Sequence, residues 1–446
     1  MLKIYNTFSR KKETFKPLTK GKAGLYVCGL TVYNYGHIGN YKSITSADIL
    51  TRYLKYLGYK VKKVVNITDV DDKTIKNSIQ EGKELKEYTK KYTEGFFEDE
   101  KSLNILPADV YPKATENIDG MIKLIQRLLD SGYAYKADDG IYFNIKKFKN
   151  YGKLSKIKKE NLKQGERVKK DEYDKENVQD FALWKFYDKE DGNVFWETPF
   201  GKGRPGWHIE CSVMSVKNLG QPFDIHCGGV DLIFPHHENE IAQSEAANNK
   251  RFANYWVHSE WLMVDGKKMS KSLGNYYTLR DIIKLGYDPL SLRYFYLSGE
   301  YRSQVNFTFD NLKNAGNSLL RLRNIISELK DDKKINEEYS KEFEEAMNDD
   351  LNTPKALQVL WKLVRDKKAI GKVKAIKKID SVFGLDLFKT GEKKDDIPKR
   401  IKELAEKREE ARKNKDWKSA DKLRDEIKNA GYSVDDTDSG VKIRRL

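Results

Sequence analysis

The chain has 446 residues, with 84 Lys and Arg against 68 Asp and Glu for a formal charge of +16, and its mean hydropathy is −0.75. It is too long for one core, so roughly two to four domains are expected. No apolar run reaches the ~20 residues of a membrane helix, and the opening MLKIYNTFSRKKETF lacks an apolar signal segment, which predicts no membrane partner and no signal peptide. Three widely spaced cysteines, Cys28, Cys211 and Cys227, exclude a disulfide framework and suit a reducing compartment, with cytoplasm as the default.

Residues 25–28, LYVC, read as a short buried strand bounded by glycine. Ala47, Leu50, Tyr53, Leu54 and Leu57 then recur at helical spacing, and Gly58 supplies a stop. YKVKKVVNITDV is β-branched and partly alternating, so strand, helix and strand follow in order and predict a βαβ unit in a parallel sheet. Residues 116–200 interrupt this rhythm with polar, lysine-rich sequence, and FDIHCGG at 223–229 reads as a buried strand again. The fold class is therefore α/β, a doubly wound Rossmann-like parallel sheet with an insertion. Beyond about residue 310 the apolar spacing is helical and predicts a bundle, with Pro354 in a first turn. In the tail, one charged helix through 401–431 and two short strands are expected, a small mixed α/β domain.

The positive charge fits a polyanionic partner, although a lysine-rich exposed surface accounts for it equally well. The most lopsided stretch, 146–170, has eleven basic residues against two acidic ones and is either a nucleic-acid surface or a solvated loop. Ligands of open parallel sheets bind beyond the strands' carboxyl ends, often with phosphate at a helix N-terminus. The loop from Gly29 to Asn40 lies at such a place: Gly36 and Gly39 permit close backbone approach, and His37 can donate to a phosphate oxygen. A second loop, VDGKKMSKSLGN at 264–275, offers Lys268, Lys271 and two serines between Gly266 and Gly274.

Together the His37 loop and Lys268-Met269-Ser270-Lys271-Ser272 resemble the paired signatures of class I aminoacyl-tRNA synthetases. The strings YVCGLTVYNYGHIGN, NITDVDDK, GRPGWHIECS, FPHHENEIAQSEA and NYWVHSEWLMVDGKKMSKSLGN narrow the resemblance to the cysteinyl-tRNA synthetase family, across nearly the whole chain. One departure is Asn40, where many relatives have histidine; its amide still donates to phosphate. The resemblance implies activation of L-cysteine by ATP with Mg²⁺, then transfer to tRNA(Cys) by a monomeric enzyme. It places His37 and Asn40 on the phosphates, Lys268 and Lys271 on the pyrophosphate, and Gly29, Thr68, Trp207 and Asp231 around the amino acid, with Asp231 meeting the ammonium.

It also implies zinc (Zn²⁺) held by Cys28, Cys211, His236 and Glu240. Independently, His236 and Glu240 are four apart in an expected helix, and thiolate, imidazole and carboxylate all suit zinc. Four protein ligands fit a closed structural site as well as one that selects cysteine over serine. Cys227 has no implied role and reads as a small buried residue. The implied domains are a catalytic domain over 1–115 and 200–250, a connective insertion over 116–199 and a stem-contact region over 251–311. A helical bundle over 312–389 and an anticodon-recognition domain over 390–446 follow, with Trp417 placed to stack on a base. Two alternatives are a cysteine ligase of the mycothiol-synthesis type and a non-catalytic RNA-binding paralogue. The first is disfavoured by the chain's continuation through Trp417, the second by intact His37 and Lys271.

Overall fold

The computed structural model describes residues 1–157, 162–168, 178–270, 272–389, 398–437 and 440–445. Strands Lys22–Val27 (β1) and Lys60–Val65 (β2) flank helix Ile38–Tyr56 (α1) and pair in parallel, Tyr26 opposite Val64. Phe223–Gly229 (β3) lies along the other side of β1, and Ala253–Ser259 (β4) along β3, so the parallel order is β4-β3-β1-β2. Side chains alternate between two cores, as a sheet buried on both faces requires. Leu25, Val27, Ile225 and Val257 join Leu50, Tyr53 and Leu54 of α1. Tyr26, Val64, Phe223 and Trp256 face the other way, toward helices Trp207–Leu219 (α2) and Glu238–Asn248 (α3), through Ile209, Cys211, Ile241 and Ala242.

Chain connections therefore leave neighbouring strands β1 and β3 toward opposite faces. That divergence opens a crevice beyond their carboxyl ends, where such sheets take ligands.

The lysine-rich interruption between β2 and β3 carries more order than its polarity indicated. It contains helix Ile118–Asp130 and a sheet in which Ala134–Lys136, Gly140–Phe143, Val178–Phe186 and Leu162–Val168 are successive neighbours, with Gly203–Pro205 paired to Val178–Phe186. Of the basic stretch 146–170, residues 158–161 and 169–170 lie outside the described residues.

The expected helices follow from Phe309: Phe309–Ser327, Glu337–Asn348, Thr353–Arg365 with Pro354 in its first turn, and Lys372–Phe383. A buried charge cluster ties them to α1. Asp48 of α1 accepts from Arg52 Nε at 2.8 Å and from Arg293 Nη2 at 2.6 Å, while Arg293 Nε donates to the Phe383 carbonyl at 2.6 Å. Burial alone would raise the Asp48 carboxyl, but the two guanidiniums hold it below its usual range. Asp48→Ala would leave both cations buried without their carboxylate, so a loss of about 3–5 kcal/mol is expected in urea denaturation. A loss below about 1 kcal/mol would mean that the helices do not depend on this cluster.

The chain divides into two compact units, Met1–Leu387 and Phe388–Leu446. In the second, the single charged helix expected from the sequence is two, Lys399–Lys413 and Trp417–Asn429. Lys415 at φ 61° breaks the helix, and Asp416 caps the next by accepting from the Ser419 N–H at 3.1 Å. The two strands follow as an antiparallel pair, Tyr432–Thr437 and Gly440–Arg445, and Ile401, Ala405, Ile427 and Val434 form the core.

Candidate active site and metal centre

A cavity of about 410 Å³ occupies the crevice. Cys28, Gly29, Trp207, Gly229 and Asp231 line one end, while His37, Gly39, Asn40, Trp261, Lys268 and Met269 line the other. Gly29 is required there by close approach, since a Cβ would stand 1.9 Å from the Asn66 carbonyl oxygen. Gly36 also lines the cavity. Thr68 does not reach the wall: it is buried behind it, donating its N–H to the Leu30 carbonyl and accepting from Val32 N–H, both at 3.1 Å. Its position supports the Leu30–Val32 loop, whose Leu30 and neighbouring Thr31 line the cavity. Lys271 lies outside the described residues.

α1 begins earlier than its apolar periodicity indicated because polar residues cap it. His37 Nδ1 accepts from the Asn40 N–H at 3.1 Å, and Asn40 Oδ1 accepts from the His37 N–H at 3.0 Å. This reciprocal cap fixes the chemistry of both side chains. With Nδ1 accepting, a neutral His37 carries its proton on Nε2, and Asn40, its oxygen engaged, turns its NH₂ group to donation. Both become donors at a helix N-terminus, where anions bind.

At the other end, Cys28 directly follows β1, Cys211 lies on α2, and His236 and Glu240 straddle the start of α3. His236 is not within the regular helix expected from its spacing. It sits in the wide turn Ile233–His237, where Phe234 is extended at φ −138°. The i, i+4 relation nevertheless holds, with His236 Nε2 3.1 Å from Glu240 Oε1. The donor atoms of Cys28, Cys211, His236 and Glu240 all lie within 4.8 Å of one another.

A second overlapping group, its donor atoms also within 4.8 Å of one another, comprises Cys28, His226, His237 and Glu240. His226 Nε2 stands 2.9 Å from Glu240 Oε2, and His237 Nε2 stands 3.3 Å from Cys28 Sγ. Behind them His237 Nδ1 meets His258 Nε2 at 2.8 Å, and His258 Nδ1 meets Thr7 Oγ1 at 2.8 Å. His208 Nδ1 stands 3.0 Å from His236 Nδ1. The sequence reading missed these four histidines. Its available signal was clustering: five of the six histidines fall between residues 208 and 258.

The electrostatics of the cluster suit a cation. Burial, with Cys211 beside it, pushes the Glu240 carboxyl and the Cys28 thiol well up. Cys211, although burial opposes it, is held well below its usual range by Cys28, His236 and Tyr26. Burial keeps His208, His237 and His258 neutral and draws His226 down to about 3. Two sulfurs, an imidazole and a carboxylate converging in one buried volume are a donor set for a borderline-soft divalent metal.

Cys227 sits on β3 facing the opposite core from His226, and burial raises its thiol, the environment of an inert packed cysteine. Trp207 stacks on His236 with ring centroids 4.3 Å apart, and burial raises the Asp231 carboxyl at the cavity wall, with Lys268 opposing. In the second unit Trp417 is 58% exposed at the start of its helix.

The fold is that of class I aminoacyl-tRNA synthetases. It superposes on Mycobacterium tuberculosis methionyl-tRNA synthetase in complex with methionyl-adenylate with a TM-score of 0.56 at 12% identity, covering 82% of this chain and 90% of that one. The family description for the class I (C) catalytic domain of tRNA synthetases matches residues 14–317, a DALR domain matches 342–388, and a cysteinyl-tRNA ligase anticodon binding domain matches 394–444. The cysteine–tRNA ligase of Chlamydia felis is 47% identical over 470 residues, covering 100% of this chain and 98% of the relative. That of Brachyspira hyodysenteriae is 46% identical, covering 99% of each. The chain belongs to the cysteine–tRNA ligase family. Neither the mycothiol-type ligase nor the non-catalytic paralogue is favoured by these matches. No described helix is long and apolar enough to cross a membrane.

Proposed function

We propose that this chain is a cysteine–tRNA ligase that joins L-cysteine to ATP as cysteinyl-adenylate, releasing pyrophosphate, and then passes the cysteinyl group to the 3′ end of tRNA(Cys). The observation that carries this reading is one cavity with a thiolate-rich donor cluster at one end and a capped helix N-terminus with Lys268 at the other. Cysteine-dependent ATP–pyrophosphate exchange and charging of tRNA(Cys) test it.

The cysteine carboxylate attacks the α-phosphate, so no protein nucleophile is needed and catalysis rests on positioning and charge. His37 Nε2–H and the Asn40 amide donate to phosphate oxygens, Gly36 and Gly39 let the nucleotide approach the backbone, and Lys268 and Lys271 offset charge on the departing pyrophosphate. Mg²⁺ accompanies ATP. Asp231 takes the substrate ammonium, which would also relieve its buried carboxylate, and Gly29 and Trp207 bound the amino-acid end.

Zn²⁺ would be held by Cys28, Cys211, His236 and Glu240, with His226, His237 and His208 orienting those ligands from behind. When bound, it supplies an electrophile that favours a thiolate over a hydroxyl, a distinction beyond a simple pocket. Every proposed residue of the activation site comes from one chain, so a monomer suffices, and three free cysteines suit the cytoplasm.

The +16 charge predicts that tRNA binding is strongly electrostatic. Raising salt from about 0.05 to about 0.2 M should weaken tRNA affinity by at least about tenfold while cysteine activation changes far less. A salt-insensitive tRNA dissociation constant would contradict this.

A further inference from the structure

The first lysine of the second signature is held by an aromatic ring. Lys268 Nζ lies 4.5 Å from the centroid of the Trp261 ring, and both residues line the cavity with His37 and Asn40. The backbone makes the pairing: Val264 and Met263 pair antiparallel with Lys267 and Lys268, folding the lysine back toward the residue that precedes the strand Leu262–Val264. Trp261 is 37% exposed, a large apolar surface kept at the cavity mouth.

Two carboxylates are near, Glu260 adjacent in sequence and Asp231 within electrostatic reach of Lys268, yet the ammonium lies on the indole. Glu260 Oε1 is 3.5 Å from Gln304 Nε2. The distinction matters chemically. A carboxylate would neutralise the lysine and compete with phosphate for it, whereas a ring face holds an ammonium with its full charge and yields it to a stronger anion.

We propose that Trp261 is a positioning residue whose indole face holds Lys268 at the nucleotide wall of the cavity, so that the ammonium is already in place when charge develops on the departing pyrophosphate. The inference rests on the cysteine-activation reading above. Without the ring the lysine loses a defined position and keeps its charge, so the loss falls on the rate of activation and spares cysteine binding.

The test is a double-mutant cycle read by cysteine-dependent ATP–pyrophosphate exchange. Trp261→Leu is expected to lower kcat by about three- to thirtyfold, with the KM for cysteine unchanged. Trp261→Tyr, which keeps a ring face, should retain most of the activity. In a Lys268→Ala background, Trp261→Leu should change kcat by less than about twofold. Trp261→Met carries the same contrast should the leucine variant fail to fold. Equal losses in the two backgrounds, or a tyrosine variant as impaired as the leucine one, would overturn the inference and leave the activation reading intact. An unsubstituted chain without cysteine-dependent exchange would overturn both.

Discussion

Cys211→Ser is expected to weaken zinc binding by more than about 100-fold, beyond the ~10–100-fold that removing an orienting partner costs, and to abolish cysteine activation. The reason is on α2 and beside β1: Cys28 and Cys211 are the two sulfurs in the donor cluster, and replacing one by serine exchanges a soft thiolate donor for a hydroxyl that resists deprotonation. His237→Ala, by contrast, leaves all four proposed ligands and removes only the imidazole 3.3 Å from Cys28 Sγ, so it should fall within the ~10–100-fold range. Metal content after dialysis against a chelator series measures both. Cobalt then separates a selecting metal from a structural one. A Co²⁺-loaded chain should change its visible absorption with cysteine and not with serine, because only the thiol readily supplies a soft anionic donor. An unchanged spectrum at saturating cysteine, with activation intact, would make the metal a staple of the fold. Selection against serine would then have to come from the cavity near Trp207.

Removing residues 388–446 should spare cysteine activation within a few fold and reduce tRNA charging by about 100-fold or more. The two compact units meet at this boundary in the chain, and Leu387, the last residue kept, is buried in the core of the first. The matched anticodon binding domain, residues 394–444, lies wholly within the second. Trp417 offers an exposed indole there with the Arg412 guanidinium 5.9 Å from its ring, a surface on which an unpaired base can stack. Trp417→Ala alone should weaken tRNA affinity by about 5- to 150-fold, the range of a lost base–aromatic stack. Exchange kinetics and tRNA charging, measured on the same preparations, give the comparison. Equal loss of both activities on truncation would show that tRNA recognition is not separable from the catalytic unit.

Local signals served where one short segment carries its own physics. The apolar strands at 25–28 and 223–229 and the helical spacing after residue 310 needed only periodicity. The cap joining His37 to Asn40 emerged only in the structure, but the signatures at His37 and Lys268 were legible because each is a short contiguous motif and the pair resembles that of a known family. The sheet inside the insertion was not, since its strands are short, polar in part and paired with partners far along the chain. The break at Lys415 was passed over although its signal was local: Asn414 and Asp416, residues that favour helix caps, flank the one residue in the left-handed region.

The sequence by itself determined the α/β class, because strand and helix patterns are local, and its resemblance to a known family supplied the two signature loops and the four side chains whose donor atoms converge; only the i, i+4 spacing of His236 and Glu240 could be read from the residues alone. Only the tertiary structure decided what surrounds them. Parallel packing of β1 beside β3 brings residue 28 to residues 236–240, and with them the histidines at 226, 237 and 258, separations along the chain that no periodicity encodes. Thr68 holds the Leu30–Val32 loop and Trp261 lies against Lys268 for the same physical reason: a side chain's neighbours are set by which strand ends meet at the crevice.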